Sequence, residues 1–261
     1  MKYISTLKLD QIPGRPLAAS DTFDFRCHAG LACFTQCCRN LNLFLYPYDV
    51  LRLKQNLGIE SDRFIDQHVD VVLRDGHHFP EVLLKMAEND QRTCPFLESE
   101  GCRVYPDRPH TCRTFPVEQG VLFDAATGGS TAVSFFRPPD FCLGQHESQQ
   151  WTVAAWNRDQ EAQRHHTINL RWAEVRRLFE NDPWGAEGPQ GAKARMAFMA
   201  AYNLDRFREF IFDSSFLKRY HVQSALVKKM KKGDEALLTF GFEWIRHFIW
   251  GISSAQIRPR R

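Results

Sequence analysis

The sequence predicts an α+β protein that is predominantly α-helical. In it, a cysteine-rich metal-bound region with small β elements precedes a C-terminal helical region. Two observations predict this class. All eight cysteines lie between residues 27 and 142, among short apolar runs bounded by turn residues. After Thr152, apolar residues recur at helical spacing instead. We therefore expect a cysteine-cluster region at 1–150 and a helical region at 151–261 packed against it.

The first region begins with short elements of both kinds. The apolar run at 41–47 predicts a strand, and Pro47 can open a helix that Gly58 ends. Ser61 is expected to be the N-cap of a further short helix. The run at 80–86 predicts another strand, leading into the second group of cysteines.

A β-hairpin is predicted next, because two strand-like runs, 117–123 and 130–136, flank a loop that contains two glycines. In the second region, Thr152 is a plausible N-cap, and helical patterns follow up to about residue 250. The basic stretch 216–232 is expected to form an amphipathic helix. The tail, 258–261, is expected to be frayed.

Composition limits the class of protein. The chain has 261 residues, of which 43% are hydrophobic and 25% charged, so it can bury a substantial core and is neither fibrous nor disordered. Its net charge of +3 is too small to require a polyanion and argues against a nucleic-acid partner.

The charge is unevenly distributed along the chain. Residues 1–142 hold 15 Lys and Arg against 18 Asp and Glu, whereas residues 143–261 hold 19 against 13. The basic C-terminal helices could meet a protein partner, and the stretch 216–232 could also meet nucleic acid or a membrane surface. The alternative is the solvated face of a helix.

The N-terminus has no apolar run long enough for a signal-peptide core, and no stretch reaches the roughly 20 apolar residues of a membrane span. The nearest candidate, 236–252, carries Glu243, Arg246 and His247 in its middle. We therefore expect a cytoplasmic protein without a membrane span, in which thiols stay reduced and favour metal ligation or redox chemistry over disulfides.

The cysteines form two motifs and one outlying residue. Thiolates bind Zn²⁺ and the iron of iron–sulfur clusters, and close spacing lowers the entropic cost of gathering them. The candidate metal ligands are Cys27, Cys33, Cys37 and Cys38 in the first motif, Cys94, Cys102 and Cys112 in the second, and Cys142. These eight cysteines could form two closed four-ligand sites, or one cluster with some cysteines left over.

The adjacent pair Cys37 and Cys38 bears on the kind of centre. Successive side chains of an extended chain point in opposite directions, so one mononuclear ion would be awkward for both. A polynuclear centre, or two neighbouring sites, accommodates the pair more easily. No Cys-x-x-Cys occurs, so the thioredoxin pattern is absent.

These residues resemble the YkgJ-type cysteine-cluster family, whose domain is described as zinc- or iron-chelating. The resemblance covers roughly residues 23–160 and lies mainly in the second motif: Cys94-Pro95-Phe96-Leu97, Cys102, Tyr105, Arg108-Pro109, Cys112-Arg113 and Phe115-Pro116. The first motif departs from the family's Cys-x2-Cys-x2-Cys-Cys hallmark, since its gaps are five and three residues. The resemblance implies a metal-chelating protein that binds either iron, with an Fe–S cluster as one form, or Zn²⁺.

A second function stays open. A flagellin lysine N-methylase is similar to this family in its cysteine-rich region, so a protein lysine N-methylase-like enzyme is the alternative. The sequence names no catalytic residue and leaves open whether the chain is an enzyme. It also has no Gly-rich dinucleotide or phosphate loop, which weakens the case for S-adenosylmethionine.

Four charged or titratable side chains flank the cysteines. His28 and His110 could supply nitrogen ligands, although exposed or satisfied histidines are the simpler interpretation. Arg108 and Arg113 could either offset thiolate charge or lie on the surface. The pairs His77-His78 and His165-His166 are expected at the surface.

Overall fold

A computed structural model describes residues 2–4, 12–123 and 129–260. The helices are α1 (Pro47–Leu57), α2 (Ser61–His68), α3 (His110–Thr114), α4 (Val153–Asp159), α5 (Gln163–Leu178), α6 (Ala192–Tyr202), α7 (Leu204–Phe212), α8 (Phe216–Arg219), α9 (Ser224–Lys232) and α10 (Asp234–Trp250). The strands are β1 (Lys2–Ile4), β2 (Arg15–Leu17), β3 (Thr22–Asp24), β4 (Val69–Val72), β5 (Glu81–Leu84), β6 (Leu97–Glu98), β7 (Gly101–Cys102), β8 (Val117–Phe123), β9 (Ser130–Phe136), β10 (Gln150–Thr152), β11 (Tyr220–Val222) and β12 (Ile257–Pro259).

The predicted fold class is confirmed, because helices outweigh strands and the strands form small sheets. The largest sheet has the order β1-β8-β9-β2, with β1 parallel to β8 and the other pairs antiparallel. Its β8–β9 hairpin is the predicted one, although most of its loop lies outside the described residues. No helix in the described part of the chain is long and apolar enough to cross a membrane.

Several local signals act as the sequence predicts. Pro47 is the first residue of α1, and the Asp49 carboxylate accepts the Tyr46 N–H at 2.9 Å, which satisfies an exposed donor at the helix start. Gly58 ends α1 in the left-handed region, with a φ of 64° that favours glycine. Thr152 caps α4, its hydroxyl accepting the N–H of the third residue of the helix.

Other expectations were wrong. The run 41–47 forms only isolated extended contacts: Leu45 N–H donates to the Val82 carbonyl at 2.8 Å, but no strand is made. Ser61 is the first residue of α2 rather than its N-cap, since its hydroxyl donates to Asp205 at 2.7 Å. The preceding residue, Glu60, occupies the cap position.

The basic stretch 216–232 is not one helix. It is divided into α8, β11 and α9, because β11 pairs antiparallel with β12, where His221 lies opposite Arg258. The same pairing shows that the tail is not frayed throughout, since Arg258 and Pro259 pair with β11 and the Arg260 N–H donates to the Arg219 carbonyl at 2.7 Å.

Contacts divide the chain into two compact units. Unit 1 comprises 1–44 and 84–173, and unit 2 comprises 45–83 and 174–261. Both units therefore draw on separate stretches of sequence, whereas the predicted regions meet once, at residue 150. That functional division stays a prediction.

Unit 1 has a core of aromatic and aliphatic side chains around β3 and α4. Phe23 and Phe25 meet Trp156 in edge-to-face contacts, with ring centroids 6.2 and 5.5 Å apart. Cys142 is buried in the same cluster and is 5% exposed. One candidate ligand is therefore anchored in the core of unit 1.

Unit 2 is built around α10. Trp244 is 2% exposed and packs edge-on to Phe216, with ring centroids 5.0 Å apart. A β-carbon at Gly241 would lie 2.3 Å from the Ala200 carbonyl oxygen, so α6 and α10 approach as closely as backbone allows.

Candidate metal centre

The first cysteine segment, residues 27–38, consists of consecutive tight turns. The Phe34 N–H donates to the carbonyl of Leu31 at 2.9 Å. The Gln36 N–H donates to the carbonyl of Cys33, also at 2.9 Å. Because each turn reverses the chain within a few residues, the thiols of this segment stay close together without help from a helix or sheet.

The adjacent pair lies in one turn of 3-10 helix, Gln36–Cys38, that follows Thr35 in the left-handed region with a φ of 62°. The expectation of an extended chain with opposed side chains was therefore wrong. Successive side chains of a 3-10 helix are about 120° apart, and the Cys37 and Cys38 thiols hydrogen-bond to each other. The two sulfurs lie side by side.

The second segment places Cys94 and Cys102 at the two arms of a tight hairpin. Strands β6 and β7 pair antiparallel, with Leu97 opposite Cys102. Gly101 has a φ of 130°, a conformation that favours glycine and lets the chain reverse within a few residues. The hairpin thus brings the Cys102 sulfur, eight positions further along the chain, back towards Cys94.

The two cysteine segments are joined through their backbones. Arg39 and Thr93 form an antiparallel bridge, and the Cys94 N–H donates to the Cys38 carbonyl at 2.8 Å. These bonds place the start of the hairpin beside the adjacent pair. Residues more than fifty positions apart in the sequence are therefore held together before any ligand binds.

In the second segment, backbone amides point at two of the sulfurs. The Phe96 N–H hydrogen-bonds to the Cys94 sulfur and the Val104 N–H to that of Cys102, each from two residues further along the chain. Amide donors stabilise a thiolate, and hydrogen bonds to sulfur tune thiolate metal sites. Sequence reasoning missed these donors, although their constant spacing after each cysteine is a usable signal.

Cys142 joins the first segment through the turn that follows it. The Leu143 N–H donates to the Cys33 Sγ at 3.2 Å, while the Gly144 N–H donates to the Cys142 sulfur. A β-carbon at Gly144 would lie 2.7 Å from the Arg26 carbonyl oxygen. Only glycine therefore fits this close approach of the two chains.

Five of the cysteines have thiols that are harder to ionise than usual. Burial raises the pKa of Cys27 and of Cys94 to about 11, and it also raises the pKa of Cys102 and Cys142. The hydrogen bond from the neighbouring thiol, and then burial, raise the pKa of Cys37. Clustered thiols of this kind release their protons when a cation compensates the thiolate charge.

Cys37 is the common neighbour of the group. Its charge contributes to the raised pKa of Cys27, Cys94, Cys102 and Cys142, which come from both segments and from the outlying position. Screened Coulomb interactions fall off over about 10 Å. Cys37 therefore lies within electrostatic range of cysteines from both motifs and of Cys142.

Cys112 lies apart from this pattern. It is exposed on α3. The charge of Cys112 contributes to none of the raised pKa values of the other described cysteines. Within residues 2–4, 12–123 and 129–260, moreover, no three His, Cys, Asp or Glu side chains stand close enough to hold a metal ion. The donor chemistry fits a thiolate-bound metal, whereas the side chains must still close in to reach ligating distances.

Arg108 is buried, at 7% exposure, so the alternative that it lies on the surface was wrong. Its guanidinium lies 3.9 Å from the centre of the Tyr105 ring and donates to the Gln160 side chain at 2.7 Å. Its charge lowers the pKa of Cys102, against the burial that raises it. Arg108 thus stands where it can offset thiolate charge.

Arg113 is also buried, at 3% exposure, and it binds backbone instead. Its guanidinium donates to the carbonyls of Gln160 and Pro106, both at 2.6 Å. Arg113 therefore ties the segment between Cys102 and Cys112 to the C-terminal end of α4. A surface arginine would not contribute in this way.

The flanking histidines have separate environments. His28 is exposed, its Nε2 lying 3.7 Å from a Glu147 carboxylate oxygen. His110 is buried, and burial holds its pKa well below the usual range, so the ring is neutral. His110 stacks on His165 with centroids 6.1 Å apart; His165 is 4% exposed, so its expected surface position was wrong.

Free thiols, amide donors to sulfur and a buried arginine thus occur together in this region, and this is donor chemistry that suits a thiolate-bound metal. A family model described as "CxxCxxCC: Putative zinc- or iron-chelating domain" matches residues 26–143. The resemblance seen in the motifs is thereby confirmed over this segment, which is less than half of the chain. No solved structure matches the chain.

Proposed function

We propose that the chain is a metal-chelating protein that holds iron, as an iron–sulfur cluster, or zinc in a polynuclear thiolate centre. The observation that carries this proposal is that hydrogen bonds join the first cysteine segment to the other two: the Cys94 N–H donates to the Cys38 carbonyl at 2.8 Å, and the Leu143 N–H to the Cys33 Sγ at 3.2 Å. Cys37 also lies within electrostatic range of cysteines from both motifs and of Cys142. A closed mononuclear zinc site needs only four donors, so a larger group around one shared sulfur favours more than one metal atom.

All eight cysteines are candidate ligands, and we rank them by their surroundings. The seven that we assign to the centre are Cys27, Cys33, Cys37, Cys38, Cys94, Cys102 and Cys142. Hydrogen bonds, shared charge or backbone pairing link each of these to another member. Cys112 contributes to none of the raised pKa values of the other cysteines, and we rank it as the weakest candidate.

A bound metal would supply folding free energy to turn-built segments, and an iron–sulfur cluster would add electron transfer. The protein's own contribution is to gather the thiols, to direct amides at their sulfurs and to place Arg108 beside Cys102. We propose the cytosol as the compartment, because all eight cysteines are free thiols and reduced thiols persist there.

Anaerobic purification, followed by metal analysis, sulfide determination and a visible spectrum, tests the proposal. A brown protein with acid-labile sulfide and broad thiolate-to-iron absorption means a cluster, whereas a colourless protein with stoichiometric zinc means a zinc centre. Zinc at one atom per chain would contradict the polynuclear arrangement. A protein that binds neither metal after reconstitution would contradict chelation itself.

Two serine variants form a matched pair within the cysteines. We expect Cys37→Ser to lose most of the bound metal, because it removes the shared sulfur. Cys112→Ser should keep nearly all of it. Metal content and circular dichroism of both variants give the answer, and full occupancy in Cys37→Ser would show that the central sulfur is not a ligand.

Lysine N-methylation is the alternative function, and S-adenosylmethionine binding separates it from chelation alone. Titration calorimetry on the metal-loaded protein should show no binding if chelation is the whole function. Binding that disappears in Cys37→Ser would support the methylase-like enzyme instead. The chelation experiment is independent of this result.

We further propose that an acidic protein surface binds α9. The lysines Lys228, Lys229, Lys231 and Lys232 are exposed there, whereas Met230 holds the helix to unit 2 with no measurable exposure. Four exposed ammonium groups within five residues create a concentrated positive surface on an otherwise nearly neutral chain.

A charge-reversal pair tests this surface. The double variant Lys228→Glu and Lys229→Glu should lose salt-dependent binding of a fluorescent poly-glutamate peptide. The control, Arg63→Glu with Lys193→Glu, changes the same total charge at exposed positions elsewhere and should retain it. Equal loss in both, or tighter binding of a short DNA duplex than of the peptide, would contradict an acidic protein partner.

A further inference from the structure

Strand β4 carries an exposed aliphatic run at the edge of a sheet. Val71, Val72 and Leu73 are 46%, 39% and 41% exposed, and the sheet consists of β4 and β5 alone in the part of the chain that the structure describes. Consecutive residues of a strand face opposite sides. Since all three are exposed, both faces of the strand are uncovered beyond the buried Val69.

Two of the usual protections of an edge strand, lysine and proline, are absent here. An edge strand offers unpaired backbone donors and acceptors, and proteins normally blunt it with lysine, proline or a bulge. Residues 69–73 contain neither lysine nor proline. Their charged residues, Asp70 and then Arg74 just beyond the run, instead bracket the apolar residues with opposite signs.

We propose that residues 70–74, the end of β4 and the two residues after it, pair antiparallel with the same segment of a second copy of this chain, about a two-fold axis that passes beside Val72. In this register Val72 lies opposite itself and Val71 lies opposite Leu73 of the second copy. Asp70 lies opposite Arg74 of the second copy. Within residues 70–74, every opposed pair is then apolar with apolar or acid with base, which is the pairing that stabilises a ladder.

The two faces of the new ladder are each self-complementary. One face gathers Val71 and Leu73 of both copies into an apolar patch. The other face has the two Val72 side chains at its centre and an Asp70–Arg74 pair on either side. An ion pair flanking an apolar centre is the anatomy of small interfaces.

Neighbouring registers lack this match. A shift by one residue places Asp70 opposite Leu73, which sets a carboxylate against an aliphatic side chain. Centring the ladder on Val71 instead leaves Asp70 opposite Val72, with Arg74 facing His68. The charge pattern therefore selects one register among those that the aliphatic run permits.

Arg74 already contacts the Glu81 carboxylate of its own chain, yet its side chain is 49% exposed. It can meet Asp70 of the second copy while keeping this intramolecular partner, because a guanidinium has five donors. The ladder is short and lies well below the standard interface size, so we expect a reversible, concentration-dependent dimer.

Cysteine cross-linking tests the register. Residues opposed in an antiparallel pair have Cα atoms about 4.5–5.5 Å apart, within disulfide reach. Val72→Cys should form an intermolecular disulfide on mild oxidation, found as a Cys-to-Cys peptide pair by mass spectrometry. Val71→Cys, the matched control, should form one only when mixed with Leu73→Cys. Equal self-cross-linking of both variants would overturn the register.

Sedimentation velocity across a hundredfold concentration range tests the dimer itself. Asp70→Arg sets like charges opposite each other and keeps the Arg74–Glu81 contact, so we expect at least a tenfold weaker association. The double variant Asp70→Arg with Arg74→Asp should restore it. Val72→Lys should abolish it, with an unchanged circular dichroism spectrum.

A wild-type chain that stays monomeric at every concentration would overturn the proposal, as would an Asp70→Arg variant that associates normally. The measurements are made on metal-loaded protein and repeated after chelation. The edge lies in unit 2, away from the cysteine segments in sequence, so dimerisation should persist when the metal is removed.

Discussion

Unit 1 and unit 2 are of comparable compactness but are held together by different means. Around its cysteines, unit 1 relies on tight turns, two-residue strands and amides directed at sulfur. Unit 2 packs aromatic side chains along α10 and adds a buried ionic network. A segment with little apolar surface of its own depends on a ligand, whereas a unit with a continuous core does not.

The ionic network of unit 2 illustrates its self-sufficiency. Lys54 is 7% exposed and donates to the Asp205 carboxylate at 2.8 Å. The Ser61 N–H and hydroxyl donate to the same carboxylate at 2.6 and 2.7 Å. Every partner that the buried charge needs is supplied by this chain, so α1, α2 and α7 are joined without a cofactor.

Metal removal should separate the two units most strongly. Structural metal sites contribute on the order of 10 kcal/mol to folding, so metal loading should slow hydrogen exchange in residues 94–116 by at least about a hundredfold. Exchange in α10 should not change. Exchange mass spectrometry with and without a chelator measures both, and equal effects in the two units would contradict the contrast between them.

Asp205→Ala should be the most damaging single change in unit 2. It leaves the buried Lys54 ammonium without its main partner, which costs about 3–5 kcal/mol. The exposed pair between Asp62 and Arg206 provides the control, and Asp62→Ala should cost less than about 1 kcal/mol. Urea unfolding gives both values. Metal content should be unaffected, and a loss of metal in Asp205→Ala would contradict the independence of the units.

Gly144→Ala should weaken unit 1 by a smaller amount. Its β-carbon would stand 2.7 Å from the Arg26 carbonyl oxygen and 2.9 Å from the Phe25 ring, so the chain must shift at a cost of about 1–3 kcal/mol. Because the turn holds Cys142, metal content should fall as well. At Gly233 an added β-carbon would lie 3.9 Å from the Lys229 carbonyl oxygen, an ordinary contact, so Gly233→Ala is the control. Unchanged metal content in Gly144→Ala would show that this turn does not position the sulfur.

The smallest expected effect is a dependence of unit 2 on acidic pH. Burial raises the pKa of Asp205, but the hydrogen bonds from Lys54 and Ser61 outweigh it, and the net shift is downward. The stabilisation is therefore full above the ordinary Asp pKa of about 3.9 and is lost as pH falls through the lower folded value. Urea unfolding from neutral to acidic pH should show this loss, and Asp205→Asn should remove it. An unchanged pH slope in that variant would assign the loss to another group.

Local signals were sufficient for several elements. Pro47 and Gly58 delimit α1, Thr152 caps α4, and the glycines between β8 and β9 mark their hairpin. Each of these depends on residues within a few positions of one another. The two cysteine motifs were recognisable for the same reason, because spacing along the chain is itself the signal.

Non-local contacts explain what the sequence could not predict. A surface position was one alternative for Arg108 and the expectation for His165, yet both are buried. The stretch 216–232 was expected to be one helix because its pairing partner, β12, lies more than thirty residues further on. The central position of Cys37 likewise depends on the backbone bonds between segments that are distant in sequence.

The bridge between Arg39 and Thr93 has a thermodynamic consequence for selectivity among competing chelators. Closing a loop of about fifty-five residues costs roughly 3–4 kcal/mol in chain entropy. Because the fold has already closed that loop, a metal binding to thiols of both segments is spared the cost. The protein can therefore retain its metal against small cellular thiols that must be collected one molecule at a time.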